Sequence, residues 1–284
     1  FENIPYGTWY IREIEQPAGF VLDDTVYPVS IGKDAQVVEI KIVNKYIRGN
    51  IHLTKVDAEY PDNKLTGATF EVYKDSNGSG KLDDGDELLG TLTEKEIGSY
   101  EMKDLFYGRY FVKETKAPEG FVLDTGVYEV MIDTDGKTCE VENKAGVGFI
   151  NEAMRGNLKI VKTSSDGKIK GFAFRITGAN GYDIILETND KGEIVIEGIR
   201  IGDYTVSEVS NSASAMYVLP ADKKATVKTG STTIVEMHNV LRDTPKTGDA
   251  TNLPLLYALA GLSAVGIAVT AFVGFKKKKK EGND

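Results

Sequence analysis

The chain has 284 residues, of which 41% are hydrophobic and 27% charged, and its formal net charge is -9. This is the composition of folded protein with room for two or three small domains, and its acidic balance argues against nucleic-acid binding. A single cysteine, Cys139, excludes an intrachain disulfide, and the two histidines, His52 and His238, lack the spacing of a metal site.

The chain opens inside a repeat and is read as the C-terminal piece of a longer protein. Residues 6–20, YGTWYIREIEQPAGF, give a Gly turn, an alternating strand with Glu13 at its end, and a Pro-x-Gly-Phe segment. An alternating hydrophobic stretch then ends at Asn44. The same pieces return in a full repeat. RGNIHLTKVD (48–57) and GATFEVYK (67–74) lead to YGRYFVKETKAPEGF (107–121), with Glu114 in the place of Glu13. A third copy starts at RGNLKIVKTS (155–164), continues through GFAFRITG (171–178) and reaches IGDYTVSEV (201–209), with Glu208. Short alternating segments rich in Val, Ile, Thr and Tyr, broken by turns such as DTDGK and NDKGE, predict antiparallel β-sandwiches. The expected fold is all-β: tandem immunoglobulin-like sandwich domains followed by a C-terminal transmembrane helix. The divisions are a half repeat at 1–48, full repeats at 49–154 and 155–242, and a terminal region at 243–284. One repeat runs into the next almost without a linker, which predicts a semi-rigid row of beads.

Three polar residues share one anomaly. Alternate residues of a strand face the same way. Glu114 therefore lies with Tyr110 and Val112, Glu13 with Trp9 and Ile11, and Glu208 with Tyr204 and Val206. By the same count Lys55 shares a face with Ile51 and Leu53, and Lys162 with Leu158 and Ile160. Asn44, Asn151 and Asn239 each close an apolar alternating run. Burial lowers a lysine pKa and raises a glutamate pKa, so both groups can be neutral at pH 7. A neutral amine is a nucleophile, and a protonated carboxyl can polarise an amide and move protons. The product would be a Lys–Asn isopeptide bond, formed once and without turnover. Cross-strand polar pairs on a solvated face are the plain alternative, and the coincidence of parity in three strand types weighs against it. In the second repeat Asn143 competes with Asn151 as acceptor. The Glu-to-Asn spacing of the first repeat favours Asn143; the Asn-to-Lys spacing across the junctions favours Asn151, the acceptor chosen here.

The loop 75–86, DSNGSGKLDDGD, sets Asp75, Asn77, Ser79, Asp83 and Asp86 at the ligand positions of a calcium loop, with the Lys81 carbonyl between them. Calcium is the candidate ion, and an acidic β-turn is the other reading. No other cofactor is expected. Beyond Asn239 the chain becomes polar. Residues 244–248 read TPKTG, and an uncharged apolar run at 253–275 is long enough to cross a bilayer. Five lysines at 276–280 follow, which keeps that end cytoplasmic and places everything before it outside.

On these residues the repeats resemble the Cna B-type, or SpaA-type, isopeptide-forming domains of Gram-positive surface proteins and pilins, which have a prealbumin-like fold. The segment 111–121 is similar to the pilin E-box. The resemblance implies amine roles for Lys55 and Lys162, catalytic roles for Glu114 and Glu208, and acceptor roles for Asn151 and Asn239. It implies that Glu13 and Asn44 belong to a domain whose lysine lies before Phe1. The third repeat departs from the pattern, with SNSASAMY in place of Pro-x-Gly-aromatic. TPKTG, the apolar span and the lysines together resemble a cell-wall sorting signal of the Leu-Pro-x-Thr-Gly type, with Thr244 in place of Leu and Pro245, Lys246, Thr247 and Gly248 completing it. This implies sortase as a partner, membrane retention before sorting, and covalent transfer of Thr247 to peptidoglycan. The expected role is the stalk of a wall-anchored adhesin that carries an unknown host or matrix ligand site further N-terminal. Alternatives are a pilin subunit, or the anchor of a surface enzyme; no turnover site is visible.

Overall fold

The computed structural model describes residues 1–243. The TPKTG motif and the apolar span fall outside the described residues. The first repeat contributes β1 (Gly7–Ile11) and β2 (Tyr27–Ile31), which pair antiparallel. The segment ending at Asn44 has no strand partner among the described residues.

The second repeat builds two facing sheets. Its strands are β3 (Arg48–Asp57), β4 (Thr69–Lys74), β5 (Glu87–Thr91), β6 (Thr93–Glu96), β7 (Ser99–Phe106), β8 (Gly108–Lys116), β9 (Val127–Ile132), β10 (Thr138–Glu140) and β11 (Phe149–Asn151). One sheet runs β10-β3-β7-β6 with β11 also on β3, and the other runs β5-β4-β8-β9. The third repeat supplies β12 (Arg155–Ser164), β13 (Ala173–Thr177), β14 (Asp183–Glu187), β15 (Glu193–Arg200), β16 (Gly202–Val209), β17 (Tyr217–Val218), β18 (Lys223–Val227) and β19 (Thr232–Leu241). Its sheets run β15-β12-β19-β17 and β14-β13-β16-β18. Each sandwich has its own core. Ile51, Leu53, Phe70, Tyr100, Val112 and Phe149 fill one, and Leu158, Ile160, Phe172, Phe174, Val206 and Met237 fill the other.

The sandwiches are not wholly antiparallel, as alternation had suggested. The first strand of each full repeat pairs parallel with its last: β3 with β10 and β11, and β12 with β19. Period-2 alternation reports which face a residue takes and is silent on strand direction, so this feature had no local signal.

The repeated Arg-Gly-Asn at the head of β3 and β12 has three separate jobs. Gly49 and Gly156 sit at β-bulges, where an added Cβ would come within 2.8 Å of the Lys137 carbonyl oxygen and 2.2 Å of the Lys228 carbonyl oxygen. Asn50 and Asn157 accept the backbone N–H of Asp104 (3.1 Å) and of Gly198 (3.0 Å). Arg48 and Arg155 donate to the carbonyls of those same two residues, at 3.2 and 2.7 Å.

Each junction is held by one residue that bonds in both directions. The Ile47 N–H donates to the Gly19 carbonyl and its carbonyl accepts the Tyr107 N–H. The Met154 N–H donates to the Gly120 carbonyl and its carbonyl accepts the Ile201 N–H. The Pro-x-Gly-Phe loop of one repeat thus meets the turn before the Glu strand of the next. At the second junction a charge network is added. Arg200 spans both carboxylate oxygens of buried Asp57, each at 2.6 Å, and reaches Glu59 at 2.7 Å; Arg155 also reaches Glu59, at 2.8 Å. Burial alone would push the Asp57 carboxyl up, but the Arg200 fork and the N–H groups of Glu59 and Tyr60 outweigh it and hold it below its usual range.

Removing one partner of a buried ion pair strands the other, at a cost of about 3–5 kcal/mol. Arg200→Met is therefore expected to lower the melting temperature and to broaden the distance distribution between spin labels on the second and third repeats. Distributions of equal width in the variant and the parent would show that this network does not fix the junction.

Candidate functional site

The Lys, Glu and Asn of each full repeat converge in its core. Lys55, Glu114, Asn151, Lys162, Glu208 and Asn239 are all buried. Parallel pairing sets their geometry. Lys55 lies opposite Phe149, two residues before Asn151, and Lys162 lies opposite Met237, two residues before Asn239. The same diagonal offset thus recurs in both sandwiches, and β8 or β16 brings the Glu from the facing sheet.

In the second repeat the Asn151 Nδ2 donates to Glu114 Oε2 (2.8 Å), to Glu114 Oε1 (3.1 Å) and to the Val122 carbonyl (2.8 Å). Asn151 Oδ1 is buried without a hydrogen-bond partner. Lys55 Nζ gives its hydrogen bonds to the Phe149 carbonyl (3.1 Å) and, more weakly, the Val56 carbonyl (3.5 Å). Burial pulls the Lys55 amine down to about 8, against the opposing fields of Glu114, Asp124 and Asp57. Burial pushes the Glu114 carboxyl up, against the Asp124 N–H, Asn151 and Lys55. Both shifts favour the neutral forms that an amine nucleophile and a proton-carrying carboxyl require. A surface cleft of about 360 Å³, lined by Val122, Asp124, Tyr128, Asn143 and Asn151 among others, leads in from solvent.

The third repeat matches in outline. Asn239 Nδ2 donates to Glu208 Oε1 at 2.6 Å, and Asn239 Oδ1 is a buried atom without a partner. Lys162 Nζ donates to the Thr163 carbonyl and lies 4.1 Å from the Phe172 ring centroid. Burial lowers the Lys162 amine and raises the Glu208 carboxyl. The half repeat keeps the same contact in the open: Asn44 Nδ2 donates to Glu13 Oε1 at 2.7 Å, and both residues are half-buried.

Asn143 does not reach Glu114. Its amide is closed on the backbone of Ile150, at 2.8 and 2.6 Å, and its Nδ2 also donates to Asp124 Oδ2 at 2.6 Å. Asp124 itself, whose N–H donates to Glu114 Oε2 at 2.8 Å, was missed by sequence reasoning. The signal was present: FVLD follows Gly in both 19–23 and 120–124.

The loop 75–86 does not gather its oxygens on one point. Among the described residues no group of three or more His, Cys, Asp or Glu side chains is placed to hold a metal. Most of the loop's polar groups bond within it, while Asp75 Oδ1 is buried without a hydrogen-bond partner. Asn77 donates to Asp83 (2.7 Å), Ser79 Oγ to the Lys81 carbonyl (2.8 Å), and the N–H groups of Ser76 and Asp83 to Asp86 (3.2 and 3.0 Å). Asp75 accepts the Gly80 N–H at 3.2 Å and faces Arg109 at 3.6 Å. The spacing of the ligand set is equally the spacing of turn-forming Asx bonds.

A family model described as the SpaA prealbumin-like fold domain matches residues 1–46, 49–145 and 156–241. The "Trypsin-resistant surface T6 protein" of Streptococcus pyogenes serotype M6 is 26% identical over 204 residues, covering 61% of this chain and 35% of that protein. The chain therefore spans about a third of the length of this relative. Among solved structures, the Bacillus anthracis TIE protein superposes with a TM-score of 0.60 at 25% identity, covering 84% of this chain and 42% of its own.

The lowered lysine has a consequence for stability when no cross-link can form. With Asn151→Ala, Lys55 stays free, and between pH about 8 and 10.5 the unfolded chain binds more protons than the folded one. Stability should then rise with pH across that window. Melting temperatures of Asn151→Ala, referred to Lys55→Met/Asn151→Ala, are expected to climb from pH 8 upward. Parallel curves for the two variants would mean that the Lys55 amine is not lowered by burial.

Proposed function

The chain belongs to the SpaA prealbumin-like fold domain family, and from that premise we propose that it is the stalk of a sortase-anchored surface protein, braced by two autocatalytic isopeptide bonds. The observation that carries this reading is the repeated convergence of a buried Lys, Glu and Asn at one register offset.

The proposed reaction uses these contacts. The Lys55 Nζ lone pair attacks Asn151 Cγ and a C–N bond forms. Glu114 takes a proton from the attacking nitrogen and gives its own to Asn151 Nδ2, the atom that it already faces. The Cγ–Nδ2 bond breaks and ammonia leaves, with the cleft at Asp124 and Asn143 as its exit. Lys162, Glu208 and Asn239 repeat the sequence. Each reaction runs once, so the chain is a substrate of its own chemistry and turns nothing over. The surface location and trypsin resistance in the name of the T6 protein fit a cross-linked exterior domain.

Residues 49–242 should have an intact mass two ammonias below the sequence mass. Glu114→Ala and Glu208→Ala should each restore one ammonia and lower protease resistance. Closing so long a loop is worth about 4–5 kcal/mol in the chain-entropy model. A wild-type mass equal to the sequence mass would refute the cross-link.

Anchoring rests on the TPKTG sequence, the apolar span and the lysines. Thr247→Ala or Gly248→Ala should move the protein from the wall fraction to detergent-extractable membrane. Complete detergent extraction of the unmodified protein would remove sortase and peptidoglycan from the reading.

A further inference from the structure

The two full repeats treat their glutamates differently. In the second, Glu114 Oε2 accepts two N–H groups, from the Asp124 backbone at 2.8 Å and from Asn151 at 2.8 Å. Asp124 is itself fixed on every side. Its Oδ1 accepts the Gly126 N–H (2.6 Å), and its Oδ2 accepts the Tyr128 hydroxyl (2.8 Å) and Asn143 Nδ2 (2.6 Å). The first repeat has the same turn: the Asp23 N–H donates to Glu13 Oε2 at 2.8 Å, while the Asp23 carboxylate holds Thr25 and Tyr27.

The third repeat lacks it. The Arg242 N–H donates to the Met216 carbonyl just as the Met154 N–H donates to that of Gly120. That match aligns Met216 with Gly120, Tyr217 with Phe121, and Pro220 with Asp124. YVLP replaces FVLD, and proline has no N–H to give. Consistent with this, Glu208 Oε2 is buried and has no hydrogen-bond partner.

We propose that Asp124 is a positioning residue for isopeptide formation, its backbone N–H occupying Glu114 Oε2 so that the transferable proton is held on Oε1, and that Pro220 deprives the third repeat of this device. The proposal rests on the isopeptide reading above. A neutral carboxyl carries one proton, and an oxygen already accepting two N–H groups is a poor place for it. Oε1, which would carry that proton, lies 3.1 Å from Asn151 Nδ2, the nitrogen that must leave as ammonia. In Glu208 the arrangement is reversed: Oε1 accepts Asn239 Nδ2 and Oε2 accepts nothing, so by the same rule the proton rests on Oε2, away from the nitrogen that must leave. The Asp124 carboxylate, Asn143 and Tyr128 act on the reaction only by holding that N–H in place. The second-repeat bond should therefore form faster than the third-repeat bond in the same molecule.

The two sites serve as controls for each other. Full-length chain is made in a short cell-free pulse, collected in denaturant, and refolded by dilution. Samples are quenched with acid at intervals, and the cross-linked peptides Lys55–Asn151 and Lys162–Asn239 are quantified by mass. The net worth of one hydrogen bond to a neutral group corresponds to a change of up to about tenfold. Asp124→Pro should slow the second-repeat bond by about tenfold and leave the third-repeat rate unchanged. Asp124→Asn keeps the N–H and should restore the parental rate. Pro220→Asp should accelerate the third-repeat bond, a gain that a purely structural role would not produce. Wild-type kinetics in Asp124→Pro would overturn the proposal. If Asp124→Pro does not fold, Pro220→Asp decides: an unchanged third-repeat rate overturns it. Absence of both bonds from the parent protein is a separate result, and would remove the isopeptide reading itself.

Discussion

The parallel pairing of first and last strands is the constraint from which the rest of each sandwich follows. It brings the two ends of a repeat side by side and running the same way. A Lys on one and an Asn two residues past its partner on the other then meet on the diagonal. In an antiparallel pair the chain would leave each domain beside the point where it entered. Here it leaves at the opposite end, where the next repeat can begin at once, as Met154 and Arg155 show. The glutamate strand crosses from the facing sheet and completes the trio inside the apolar layer. Burying three polar groups there has a real cost, and it is offset only in part by hydrogen bonds, since both Asn Oδ1 atoms are unpartnered. An amide oxygen left bare in this way is unusual for a buried group and accords with the reaction proposed for the site.

Much of this was legible in the sequence because strand parity is a rigid rule. Counting by two from Ile51 to Lys55, from Tyr110 to Glu114 and from Val235 to Asn239 put each polar residue in the core, and each is there. Strand direction and register could not be counted, so Asn143 remained a rival of Asn151. What separates them is position on the last strand. Asn151 lies on β11 beside β3, while Asn143 precedes that strand and caps the Ile150 backbone. The calcium spacing left two readings open, because Asp, Asn, Ser and Gly at short intervals serve turns as readily as ions.

The departure of the third repeat from the family pattern has a structural account. The Pro-x-Gly-Phe loop makes two kinds of contact. Its Gly lies against the next repeat, with Gly19 at Tyr107 and Gly120 at Ile201. Its aromatic residue belongs to the junction: Phe20 packs at 4.6 Å on Tyr46, and Phe121 faces Arg200. In the third repeat the aromatic position survives as Tyr217, but it has turned inward. Tyr217 is fully buried, packs against Phe172 and donates to Asp166. The position that faces a neighbour in the first two repeats belongs here to the domain's own core. SNSASAMY is thus a closing element within this fold, and its lack of resemblance to the E-box end follows from the work it does.

Were the two proposed bonds to form, the path of tension through the chain would become short. Force entering the second repeat at Arg48 would pass along β3 to Lys55, cross to Asn151 and leave through Met154. The rest of that sandwich, including the Glu strand and the loop at 75–86, would carry none of it. No proposed bond would span the stretch from Asn151 to Lys162 or the preceding junction, residues 45–54. Those stretches are where the structure concentrates its non-covalent bracing: the two-way backbone bonds of Ile47 and Met154, the Arg-Gly-Asn bulges, and the Arg200 fork on Asp57. Asp57 lies two residues beyond Lys55 on the same strand and opposite Asn151, so the Arg200 fork clamps the next repeat beside the proposed bond without lying on its tension path. Charge and backbone hydrogen bonds yield reversibly, whereas a broken sandwich exposes its core. A chain built this way would extend first at its junctions and keep its domains intact.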